Sequence, residues 1–204
     1  MPRATQAIIG ANVVVYLLQM STGDSLVVLF ALWPLDASAY FGPEVGFAPW
    51  QLVTYGFLHG GLTHIFFNMF AIYMFGSALE QFFGTRYYVA LYFVSVVVAG
   101  LTQIGVNEVL NSPYPTLGAS GGVYGLLLAF GMYFPQQRIM LIFPPIAMPA
   151  WVAVTGYAAL ELFLGVTGTQ QGVAHFAHLG GMLGAFFMIQ WRRGKPPFAR
   201  RPRR

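Results

Sequence analysis

The chain has 204 residues, 57% of them hydrophobic and only 8% charged, with a net charge of +4. A typical soluble domain carries about 25% charged residues, so this composition excludes an ordinary soluble fold and makes the bilayer the solvent. The length fits one helical bundle, read here as a single membrane domain over 1–204. The absence of cysteine excludes disulfides and thiolate metal sites.

A spanning helix needs about 20 mainly apolar residues. Six segments are expected to span, over Gln6–Met20, Leu62–Phe83, Tyr87–Asn107, Ala119–Phe134, Ile146–Val166 and Val173–Trp191. The first begins after Arg3 like a signal peptide, but no A-x-A site follows it and Gln6, Asn12 and Gln19 dilute it, so it reads as a retained span. The stretch from Ser21 to Gly61 mixes Asp24, Asp36, Glu44 and three prolines with Leu26–Trp33 and several aromatics. That mixture reads as a long loop lying in the membrane interface. Pro113, Pro115 and Gly118 mark the start of the fourth span and Pro135 its end; Pro144, Pro145 and Pro149 punctuate the approach to the fifth.

Seven of the ten basic residues lie after Gln190, in WRRGKPPFARRPRR. On a membrane protein such a tail meets anionic lipid headgroups, and no nucleic-acid partner is expected. With six spans and the N-terminus inside, Arg3, Arg86, Arg138 and the whole tail fall on the cytoplasmic side, while Asp24, Asp36, Glu44 and Glu108 fall outside. This predicts a multi-pass membrane protein with both termini cytoplasmic.

Four polar residues interrupt the apolar segments: His64 and Asn68 in HIFFN, Ser120 in GASGG and His178 in AHLGG. Polar groups inside spans are costly and point to chemistry. In the six-span topology the second, fourth and sixth spans run from outside to inside, which sets His64, Ser120 and His178 at similar depth near the outer surface. Gly121, Gly125 and Ala129 on the fourth span, and Ala177, Gly181 and Ala185 on the sixth, form small-residue stripes that let helix backbones touch. The same stripes also serve ordinary membrane packing; that Ser120 meets His178 is the added expectation.

Serine becomes a nucleophile when a neutral histidine takes its proton, and His178 suits that role because imidazole titrates near neutrality. Attack on a carbonyl creates an oxyanion that needs aimed donors. His64 and Asn68, four residues apart, share a helix face, and the first N–H groups of the fourth helix are unpaired within it. An interhelical hydrogen bond remains the alternative reading of Asn68. His59, across the Gly60–Gly61 turn, reads as a loop-stabilising residue. Tyr124, one turn after Ser120, is a candidate support for the base. Four histidines, with His175 and His178 three apart, invite a zinc site, but no carboxylate or H-E-x-x-H pattern accompanies them and Ser120 would be left unexplained. No metal or cofactor is expected. Glu161 could orient a histidine but reads first as a snorkelling or interhelical pair, and Glu80, near Arg86, as a structural ion pair; no acid is well placed as a third member, and a Ser–His dyad is the working scheme.

These residues resemble the rhomboid family of intramembrane serine proteases over about Trp50 to Ile189. The segments HGGLTHIFFNMFAIYMFGSALE, GASGGVYG and AHFAHLGGMLGAFF fit its H-x-x-x-x-H-x-x-x-N, G-x-S-G and A-H-x-x-G patterns in order. The resemblance implies an all-α membrane protein, a six-transmembrane-helix bundle with a long interfacial first loop, and its compact six-span form implies a prokaryotic cell membrane. It further implies Ser120 as nucleophile, His178 as base, His64, Asn68 and the N–H of Ser120 as the oxyanion hole, and Tyr124 packed on the base. Trp50 matches a first-loop Trp-Arg pair of some members, but Gln51 stands where the arginine would, which leaves the anchoring of that loop open and not the chemistry. The implied substrates are transmembrane proteins cut in or beside a spanning helix. Pro144–Pro149 would loosen a gate in the fifth span, and Val166–Gly172 would form a cap. A non-catalytic rhomboid-like protein that binds membrane clients, or a small transporter or channel, would be the alternatives.

Overall fold

The computed structural model describes residues 1–140, 145–169 and 173–194. Helix α1 runs over Arg3–Thr22. Its first amides are held by Glu80: the N–H groups of Ala4 and Thr5 donate to the carboxylate at 3.0 and 2.8 Å, and the hydroxyls of Thr5 and Thr85 donate at 2.8 and 2.9 Å. A carboxylate at a helix N-terminus meets both the orphan donors and the positive end of the dipole. Glu80 is thus an interhelical cap for α1, not the Arg86 ion pair expected from their spacing.

The stretch expected to lie at the interface folds into short helices, α2 (Ser25–Phe30), α3 (Ser38–Phe41) and α4 (Gln51–Thr54), the last continuing as a tight turn over Tyr55–Phe57. Gln51 supplies the anchor that its place beside Trp50 left open. Buried at 2% exposure, its carbonyl accepts from the N–H groups of Trp33 and Ala48 at 3.2 Å, and its amide donates to the Gly46 carbonyl at 3.0 Å. A neutral amide does here what an arginine cannot, because it both donates and accepts. Trp50 stays largely exposed and donates its indole N–H to the Leu29 carbonyl at 3.0 Å. Leu32 and Thr116 exchange two backbone hydrogen bonds of 2.9 Å, tying the loop to the segment that leads to Ser120.

The second span is α5 (Leu62–Ala71), a π-helical turn (Ile72–Gly76) and α6 (Ser77–Phe83). Gly84, at φ 80°, breaks it from α7 (Thr85–Leu110), which ends on Asn111 in the left-handed region. Then come α8 (Ser120–Tyr133), a two-stranded hairpin of β1 (Arg138–Met140) and β2 (Ala147–Pro149), α9 (Ala150–Thr167) and α10 (His175–Arg193). The hairpin was not anticipated; it takes residues assigned to the fifth span, so α9 starts only after Pro149.

Helix α10 packs along α7 and α8, and α9 lies against α8 and α10. The core between them is built on Tyr55, Tyr88, Tyr92, Leu126 and Ile189. Among the described residues four helices are long and apolar enough to cross a membrane: Arg3–Thr22, Leu62–Phe83, Thr85–Leu110 and Ala150–Thr167. The other two expected spans differ in kind. Helix α8 has 14 residues, and α10 carries two histidines and two arginines. Those arginines lie over aromatic rings, Arg192 4.4 Å from the Tyr87 centroid and Arg193 4.5 Å from that of Tyr133. The rest of the basic tail, from 195 on, lies outside the described residues.

Candidate active site

Two glycines decide where the site forms. A Cβ added to Gly181 on α10 would overlap the backbone oxygen of Gly121 on α8, and one added to Gly125 would meet Ser95 of α7 and come within 3.1 Å of the Gly181 oxygen. The two small-residue stripes therefore face each other with their backbones in contact. That approach sets the first residue of α8 beside the first turn of α10: Ser120 Oγ lies 2.8 Å from His178 Nε2.

Tyr124, one turn along α8, covers the His178 ring. Its ring stacks on that of His178 with centroids 4.2 Å apart and planes within 6°. Its hydroxyl donates a short hydrogen bond to Oε1 of Glu161. The other carboxylate oxygen of Glu161 is 2.6 Å from Nδ1 of His175 and 3.0 Å from Nδ1 of His178. The His178 contact has ion-pair distance without the alignment of a hydrogen bond, since that nitrogen has no partner of hydrogen-bond geometry. Glu161 is buried at 5% exposure. On the sequence alone no acid is well placed as a third member, though Glu161 is open to orienting a histidine; here it stands beside two. The interhelical pairing expected of Glu161 exists, with His175, and the same carboxylate also reaches His178. The signal was present in the sequence, as an acid inside an apolar span, but the register of α9 against α10 was not.

A carboxylate therefore does accompany two of the histidines. Among the described residues, Glu161, His175 and His178 each offer a donor atom, all within 4.8 Å of one another, a spacing that could hold a metal ion.

His64 and Asn68 lie across the cleft on α5. Gly118 explains how close His64 comes: a Cβ there would stand 2.8 Å from His64 Nε2 and 3.7 Å from Ser120 Oγ, and the residue has φ 130°. Only glycine combines that backbone conformation with that lack of bulk. His64 and Ser120 thus flank one small space. His64 Nδ1 accepts from the Gly60 N–H at 3.3 Å, which turns Nε2 toward the cleft as the remaining donor. Asn68 spends one amide hydrogen on the His64 carbonyl at 3.0 Å and keeps the other. All of them line one cavity of about 750 Å³, floored by Ser120, Tyr124 and His178 and walled by aromatic and aliphatic side chains of α5, α9 and β1.

His59 does not line it. Its backbone N–H and C=O bond the Gln19 side chain at 3.1 and 2.9 Å. The loop is therefore held through the backbone of His59, while its buried ring nitrogens have no partner and the ring packs edge-on to His64. Burial, with His64 beside it, holds His59 down at about 4. An imidazole in the unfolded chain protonates near 6.5. The contribution of a neutral buried His59 is then complete above about pH 6.5 and is lost as pH falls toward about 4, by on the order of 3 kcal/mol in all. Thermal unfolding in detergent should show a falling melting temperature across that window, and the fall should be smaller in His59→Gln.

The family pattern described as the Rhomboid domain matches residues 47–193. Among curated relatives, the chain is 29% identical over 182 residues to the rhomboid protease GlpG of Yersinia pestis (strain Pestoides F), covering 88% of this chain and 59% of that protein. It is 29% identical over 138 residues to the rhomboid protease GluP of Bacillus subtilis (strain 168), covering 68% and 25%. It is 29% identical over 140 residues to the mitochondrial rhomboid protein 1 of Saccharomyces cerevisiae, covering 67% and 40%. The chain thus spans a quarter to about three-fifths of the length of these relatives. The match runs from the loop before α4 to the end of α10 and takes in every residue of the cleft, and on that extent the chain belongs to the rhomboid family.

Proposed function

We propose that this protein is an intramembrane serine endopeptidase that cuts transmembrane proteins within or beside a spanning helix. The observation that carries the reading is the 2.8 Å contact between Ser120 Oγ and His178 Nε2 at the floor of a largely apolar cavity. His178 takes the proton of Ser120 as Oγ attacks the scissile carbonyl, and returns it to the leaving amine. The tetrahedral oxyanion is met by His64, Asn68 and the N–H of Ser120, the last unpaired within α8 by its place in the helix. Water then repeats the cycle on the acyl-enzyme. Trp50 and His59 act at a distance, through the first loop and its junction with α5. No metal or cofactor takes part.

The apolar wall of the cavity supports a membrane-embedded substrate. A helix in lipid has every peptide group bonded internally, so the segment to be cut must unwind before its carbonyl reaches Ser120. Helix-weakening residues near the cut, and small residues at it, are expected of such a substrate. α9 is the element to move, since it closes one side of the cleft and packs only at the margin of the bundle. The proposed cap over 166–172 runs into 170–172, outside the described residues, as does Pro144 of the proposed gate. Six spans with both termini cytoplasmic, in a prokaryotic cell membrane, would put the cleft toward the extracytoplasmic side, with lipid and transmembrane substrates as the partners and one membrane domain over the whole chain.

The test is purified protein in detergent or liposomes with a panel of model transmembrane substrates and a fluorophosphonate probe. The expected result is cleavage at one site per substrate and phosphonylation mapped to Ser120. No cleavage of any substrate together with no labelling would return the protein to the client-binding class.

A further inference from the structure

We infer that Glu161 is a positioning residue for His178, so that the proposed Ser–His pair works as a three-member array with its acid on a different helix. The inference rests on the serine protease reading of the same cleft. A carboxylate only accepts hydrogen bonds, so the Tyr124 hydroxyl and Nδ1–H of His175 are both donors to it. These two donors come from α8 and α10 and fix a group carried by α9. Fixed in that way, Oε2 stands 3.0 Å from Nδ1 of His178.

Two consequences follow for the base. A negative oxygen beside Nδ1 favours the tautomer with the proton on that nitrogen, which leaves the lone pair on Nε2, 2.8 Å from Ser120 Oγ. When Nε2 takes the serine proton, the ring gains a positive charge with a carboxylate already beside it, in a place with little water to screen the attraction. The Nδ1 proton remains on the imidazole throughout, so no proton passes to Glu161. The ring is then held on three sides, by Tyr124 on its face, Ser120 at one edge and Glu161 at the other. Because the Nδ1 contact is off-axis, its removal should cost less than loss of an aligned triad acid, which is worth about 10⁴-fold.

Glu161→Gln keeps the shape but removes the charge, and its amide can donate to Nδ1 and stabilise the unproductive tautomer. The expected result is a fall in kcat of about 10- to 100-fold with KM within about threefold of wild type. Phosphonylation of Ser120 should slow by the same factor, and Glu161→Asp should recover part of the loss. Leu162→Ala, a lipid-facing change on the same helix, should leave all three unchanged. The ¹⁵N imidazole spectrum, with His178 assigned by its loss in His178→Ala, should show the Nδ1–H tautomer in wild type and a shift toward Nε2–H in Glu161→Gln. An unchanged kcat in Glu161→Gln, or the Nε2–H tautomer in resting wild type, would overturn the inference; the second readout needs no variant of Glu161 to fold. Loss of activity with EDTA and its return with zinc would also overturn it, by reassigning Glu161, His175 and His178 to a metal. If wild type neither cleaves nor labels, it is the protease reading that fails, while the tautomer still reports on the Glu161 contact.

Discussion

Ser120→Ala should lower the rate of substrate cleavage by at least about 10³-fold while leaving the melting temperature within a few degrees of wild type. The hydroxyl is the only group removed, and its partner is the His178 imidazole on the cavity floor, so folding loses one hydrogen bond worth about 1 kcal/mol. Chemistry loses the nucleophile. His178→Ala should fall to a similar floor, and the double variant should be no slower than either single one, because residues that act as a unit are not additive. What remains above the uncatalysed rate would come from His64, Asn68 and the α8 amides. Initial rates on one transmembrane substrate, with thermal unfolding as the control, measure all three. Near-additive losses would mean that Ser120 and His178 do not act on the same step.

Gly181→Ala should be the most damaging single-methyl change in the bundle. The new Cβ would overlap the Gly121 oxygen, and a backbone atom inside a helix cannot rotate away as a side chain would. Helices α8 and α10 must separate, at about 1–3 kcal/mol for an overpacked site. The separation acts directly on the Ser120–His178 contact, since these residues lie at the ends of the two stripes. A displacement near 1 Å can cost about 10²-fold in rate. Gly181→Ala is therefore expected to lose about two orders of magnitude in kcat and several degrees in melting temperature. Gly105→Ala on α7 is the matched control: a Cβ there meets nothing within 4 Å, and removing a helical glycine stabilises by up to about 1 kcal/mol.

Both results depend on features that differ in how visible they are in the chain. The small-residue stripes are periodic, so their faces follow from helix geometry alone. Ser120 and His178 are polar residues placed where polar residues are expensive, and they stand out for that reason. Glu161 stands out equally, but its partners do not. Helix α9 is apolar over most of its circumference, and periodicity does not say which of its faces turns toward α10. The role of Gln51 was hidden for another reason. An amide's value as an anchor depends on which backbone groups arrive around it, and these come from Leu29, Trp33, Gly46 and Ala48, spread along a loop without repeat. Glu80 and Thr5 are likewise 75 positions apart, beyond any local pattern, whereas Arg86 nearby offered a partner that the fold did not use.

The amino-acid order alone determined the solvent, the positions of most helices and which polar residues stand out in the cleft, because hydropathy and helical period are properties of neighbouring residues. The tertiary structure alone decided that a carboxylate stands beside His178, that the first loop is anchored by an amide, and that a hairpin shortens the fifth helix at its start. These depend on the register between segments distant in the chain, and that register is set by the packing of whole helix faces.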